Sequence, residues 1–99
     1  MAFCYIIFSV SLNRFYIGST ILEPKDRLQK HLEQFYGIRK FTAKTKDWEL
    51  YLEIPCESID VARKIEKHIK RMKSKKYIRN LKQYPAIIDK LRQRYADTS

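Results

Sequence analysis

The chain has 99 residues, enough for one domain with a modest core and too few for a second. Apolar residues make up 44% and aromatics 13%, which excludes an intrinsically disordered chain. Twenty-one Lys and Arg against eleven Asp and Glu leave a net charge of +10, which favours a polyanionic partner: DNA, RNA or an anionic membrane surface.

The opening run MAFCYIIFSVSL is apolar, with no basic segment before it and no small-residue cleavage pattern after it. It reads as a strand over Phe3 to Val10, not as a signal peptide, and is too short to span a membrane. Cytoplasmic residence is the default expectation. Cys4 and Cys56, which lack framework spacing, agree with a reducing compartment. Ser11-Leu12-Asn13 is turn-compatible and Arg14 to Ser19 forms a second strand, so the two make an antiparallel hairpin. Pro24 can open a helix and Gly37 can end it, with Leu28, Leu32 and Phe35 as its apolar stripe. The basic segment GIRKFTAKTK follows as a surface loop. Trp48, Leu50, Leu52 and Ile54 then alternate with Glu49, Tyr51 and Glu53, which predicts a half-buried strand with solvated glutamates. Ser58 caps a helix whose stripe is Ile59, Ala62, Ile65, Ile69 and Met72. KSKKYIRNLKQYP carries Tyr77, Ile78 and Leu81 before Pro85 breaks it. A last helix uses Ile87, Ile88, Leu91 and Tyr95. The expected fold is α+β: a three-stranded, mainly antiparallel sheet flanked by helices, in the order ββαβα(α)α.

Polar residues on these elements raise the question of function. Arg27 and His31, four apart, share one edge of the first helix, beside its apolar stripe. Glu66 lies at the margin of the next helix's stripe, among Arg63, Lys64, Lys67 and Lys70. Two readings of it stand. It is a helix-surface ion pair with Lys70, worth about 0.3–0.5 kcal/mol, or a metal ligand if other groups converge there. Tyr5 and Tyr16 depend on the hairpin loop. A loop of even length, Val10 to Asn13, puts both on one face and sets Tyr5 across from Gly18, where a missing side chain leaves room beside the phenol. A loop of odd length puts them on opposite faces, as ordinary packing tyrosines.

CYIIFSVSLNRFYIGST, followed by Arg27 and His31 in RLQKH and by Glu66 in ARKIEKHIKRMKSKKYI, resembles the GIY-YIG nuclease superfamily, most closely its short single-domain members. The second half-motif is intact as Tyr16-Ile17-Gly18, whereas the first, Phe3-Cys4-Tyr5, keeps only its Tyr. The resemblance covers roughly residues 3 to 81, and Asn80 matches a late Asn of the family. It implies a nuclease domain over residues 1–83, with a C-terminal helical tail, 84–99, packed on it. It implies a DNA endonuclease that hydrolyses phosphodiester bonds with Mg²⁺ or Mn²⁺, in repair, restriction or recombination. Glu66 would hold the ion and Arg27 the phosphate. Tyr5 would be the general base, Tyr16 would orient water or phosphate, and His31 would relay a proton or bind phosphate. Arg39, Lys40, Lys44, Lys46, Lys70, Lys73, Lys75, Lys76 and Asn80 are candidate DNA contacts. Tyr36, Phe41 and Tyr77 lie among these cations, where they could stack on splayed bases. Two alternatives stay open: a basic DNA-binding module with weak or no catalysis, and a nuclease subunit that needs a partner protein. The tail's apolar face could dock such a partner or form a homodimer. No membrane partner is expected.

Overall fold

A strand in the middle of a sheet has neighbours on both edges and packing on both faces, so its sequence need not alternate. This accounts for AFCYIIFS, which forms β1 (Ala2–Ser9) with almost every residue buried. The structure, a computed structural model, describes residues 2–21 and 47–96. β2 (Arg14–Thr20) and β3 (Trp48–Cys56) flank β1, both antiparallel to it, in the order β2-β1-β3. Three helices follow: α1 (Ile59–Met72), α2 (Lys75–Gln83) and α3 (Pro85–Ala96). The fold is α+β, as expected. The helix expected between Pro24 and Gly37 and the loop GIRKFTAKTK lie outside the described residues. Among the described residues no helix is long and apolar enough to cross a membrane.

The hairpin loop runs from Val10 to Asn13, the even length that sets the register Tyr5↔Gly18 and Ile7↔Tyr16. Asn13 takes a left-handed backbone, φ 53°, which Asn tolerates better than most residues. Asp47 holds the tip, accepting from the Ser9 hydroxyl at 2.5 Å and the Ser11 amide at 2.9 Å.

β3 departs from simple alternation. Ile6 faces Leu52 but Ile7 faces Leu50, so Tyr51 is the extra residue of a bulge. Leu52, Ile54 and Cys56 join the main core, whereas Trp48 and Leu50 join the cluster on the opposite face. The single apolar face expected for Trp48, Leu50, Leu52 and Ile54 is therefore divided. Glu49 and Glu53 are both exposed.

The main core forms where Cys4, Ile6 and Ile54 meet Ala62, Ile65 and Ile69 of α1. Ser58 caps α1 by accepting from the Val61 amide at 3.3 Å. At the other end Lys73 turns left-handed, φ 47°. The chain is redirected there, and Met72, expected on the stripe, is 45% exposed. Ile78 and Leu81 of α2 supply the next buried positions. The apolar face of α3 covers the protein's own core, with Leu91 buried and Ile87, Ile88 and Tyr95 packed around it. Tyr95 Oη lies 3.0 Å from His68 Nδ1.

Candidate active site

The two tyrosines stand on one face of the sheet, with Ile7, Trp48 and Leu50. Tyr5, on the central strand, is only 3% exposed, whereas Tyr16, on the edge strand, is half-buried and meets Trp48 edge-on at a centroid distance of 6.5 Å. A Cβ at Gly18 would fall 2.5 Å from the Tyr5 hydroxyl oxygen and 2.6 Å from Cζ. The room that Gly18 clears is thus taken by the Tyr5 phenol, which lies across β2 toward the outside of the sheet. Any other residue at this position would push the ring away. Phe3 and Cys4, the two departures from the first half-motif, are both buried in the sheet. They fill packing positions and leave the placement of Tyr5 to the strand register.

Glu66 reaches the same part of β2 from the other face. α1 packs on the face of β1 and β2 that carries Cys4, Ile6, Ile17 and Ser19. There the Ser19 hydroxyl donates to Glu66 Oε1 at 2.7 Å, and Lys70 Nζ donates to Oε2 at 2.6 Å. The Glu66 side chain is 18% exposed and that of Lys70 51%. The i,i+4 ion pair expected of a helix surface is present. A second bond, which such a pair does not require, ties the carboxylate to the residue after Gly18. Phenol and carboxylate therefore approach adjacent residues of one edge strand from its two sides. Ser19 is the partner that sequence reasoning missed. The signal was its place beside Gly18 on the alternate face of β2.

Arg27, His31, Arg39, Lys40, Lys44 and Lys46 lie outside the described residues. Of the other candidates, Lys70, Lys73 and Lys75 line, with Arg14, a cavity of about 260 Å³ between β2 and the α1–α2 junction. Lys75 Nζ also donates to the Asn13 carbonyl at 2.7 Å, tying α2 to the hairpin. Lys76 is exposed and Asn80 is half-buried on α2. Tyr77 packs against the core near His68 and Tyr95, and burial pushes its phenol pKa up. Burial likewise raises the pKa of Cys4 and of Cys56, so both thiols stay protonated and inert near neutral pH.

No group of three or more His, Cys, Asp or Glu residues is gathered among the described residues, where Glu66 stands as a lone, partly buried carboxylate. One carboxylate suits a hard cation such as Mg²⁺, which keeps several waters and often takes only one or two protein oxygens. A family model described as "GIY-YIG catalytic domain" matches residues 1–80. No curated protein and no solved structure matches the chain significantly.

Proposed function

We propose, from the premise that this chain belongs to the GIY-YIG family, that it is a DNA endonuclease cutting phosphodiester bonds by metal-assisted hydrolysis at the edge of β2. The observation that carries this reading is the approach of Tyr5 and Glu66 to Gly18 and Ser19 from opposite sides of one strand.

Glu66 would hold the cation, its carboxylate oriented by the Ser19 hydroxyl and paired with Lys70. Once bound, a Mg²⁺ or Mn²⁺ ion supplies charge stabilisation at the phosphoryl group and at the leaving oxygen. Tyr5 accepts a proton from the attacking water. A free phenol has a pKa of about 10, so this role needs cations nearby to favour the phenolate. Arg27 offers a planar fork to the phosphate oxygens. Tyr16 orients the water or the phosphate, and His31 relays a proton or binds phosphate. The flanking backbone lies on Lys70, Lys73, Lys75, Lys76 and Asn80, and on Arg39, Lys40, Lys44 and Lys46 from the basic loop. Affinity then falls as salt rises. The nuclease domain spans residues 1–83, with 84–99 as its tail. Two protonated thiols fit work in a reducing cytoplasm, in DNA repair, restriction or recombination.

The test is a panel of DNA forms (duplex, nicked, flap, junction and single strand) incubated with and without Mg²⁺ or Mn²⁺. The expected result is metal-dependent cutting of at least one form, lost in Glu66→Ala while DNA binding persists. Binding without cutting of any form would replace this reading with a basic binding module. Cutting only after a second protein is added would make the chain a subunit.

A further inference from the structure

The cavity of about 260 Å³ between β2 and the α1–α2 junction, whose lysines enter the nuclease reading as contacts to the DNA backbone, combines two kinds of wall. Its floor is apolar, from Phe15 and Ile17 of β2 and Ile78 of α2. The Phe15 ring is fixed by Phe8, at a centroid distance of 4.7 Å, and by Tyr51 at 5.0 Å. Its rim is cationic, from Arg14, Lys73 and Lys75. A phosphate alone needs no apolar floor, and an apolar ligand needs no ring of cations. A nucleotide needs both, because its base has an uncharged face and its phosphate is an anion. The volume falls below the roughly 300–1,000 Å³ of sites that enclose drug-sized ligands, which suits one base and not a base pair. Lys70 lines the same cavity while bonded to Glu66, so the cavity adjoins the candidate active site.

We propose that this cavity seats one unpaired nucleotide of the DNA strand being cut, beside the scissile phosphate. Its base rests on the Phe15, Ile17 and Ile78 floor, and its phosphate on Arg14, Lys73 and Lys75. The identity of the ligand as DNA rests on the nuclease reading. The consequence is a substrate class: DNA with a bulged, flapped or single-stranded nucleotide at the cut is favoured over continuous duplex, where the base must first be unpaired.

The test measures binding in EDTA, where no metal-dependent cutting occurs. The probes are a continuous duplex and the same duplex with a one-nucleotide bulge carrying 2-aminopurine. The wild-type protein is expected to bind the bulged DNA about tenfold tighter, in line with stacking of one base, with a change in 2-aminopurine emission. Lys73→Glu, on the exposed rim, and Ile17→Ala, on the floor, should each reduce the preference to about twofold or less, with folding checked by thermal melting. Equal wild-type binding to both DNAs overturns the proposal, as does a full preference in both folded variants. A bulged RNA of the same sequence bound as tightly overturns the assignment to DNA. Metal-dependent nicking without the preference sinks the cavity's role alone. A preference lost in Lys73→Glu, with no nicking of any form, supports the cavity and sinks the nuclease reading.

Discussion

On the face of the sheet that α1 covers, Cys4, Ile6 and Ile54 meet Ala62, Ile65 and Ile69, none more than 1% exposed. On the other face Tyr5 and Ile7 meet Trp48, while Tyr16 and Leu50 are only half covered. The centre of the first face is aliphatic and closed to solvent and contributes stability, while its margin along β2 carries Ser19, Glu66 and the cavity floored by Phe15 and Ile17. The second carries ring systems with polar tips, of which the Tyr5 ring occupies the space left by the absent side chain at Gly18. β2 is the seam between them. Tyr16 and Gly18 turn to one side and Ile17 and Ser19 to the other, so groups from both faces arrive at one edge. The difference separates the closed centre of the sheet, which keeps the protein folded, from the edge at β2, where residues from both faces are available for chemistry.

Substitutions on either side of the seam can break that division. The largest effect is expected at Glu66: changing it to Ala should lower the metal-dependent nicking rate about 10³-fold with little change in the melting midpoint. A collapse of stability with unchanged nicking would make Glu66 a structural residue. Ile65→Ala should do the reverse, costing about 2–5 kcal/mol in urea unfolding while cutting per folded molecule is kept. Gly18→Ala should displace the Tyr5 ring and slow cutting about 10²-fold. Its effect on stability should vanish in a Tyr5→Ala background, because the clash then has no partner. Additive effects in that cycle would mean that the ring does not depend on the glycine.

The smallest effect concerns His68, on the helix side. Burial lowers its pKa below 6.5, and Arg94 and Arg71 push it the same way. The folded protein therefore binds fewer protons here than the unfolded chain in the range just below pH 6.5. Stability from this site is full above that pH and declines as pH falls through the folded pKa. A melting midpoint that drops on acidification, with a smaller drop in His68→Gln, is the expected outcome. The Tyr95 contact to His68 makes α3 the element expected to loosen first, by hydrogen exchange.

Some of this arrangement can be read along the chain and some cannot. The pairing of Tyr5 with Gly18 follows from an even loop, because side chains alternate strictly along regular strands. The Ser58 cap is a local bond within one turn, so local sequence announces it. The bulge at Tyr51 carries no such mark: Trp48, Leu50, Leu52 and Ile54 look like one face until the pairing with β1 slips by a residue. The turn at Lys73 is equally silent, since a Lys there gives no hint of a left-handed backbone or of Met72 left in solvent.

Composition, periodicity and motif spacing by themselves determined the class of fold, the charge that seeks a polyanion, and the family. These depend on residue types and short separations, which the chain carries wherever it goes. Only the tertiary structure decided that the Tyr5 phenol fills the gap at Gly18, that Ser19 anchors Glu66, and that an apolar floor lies beneath a cationic rim. Each joins groups from different elements. Their meeting depends on how helices and strands pack around the core, a property of the whole fold and of no single segment.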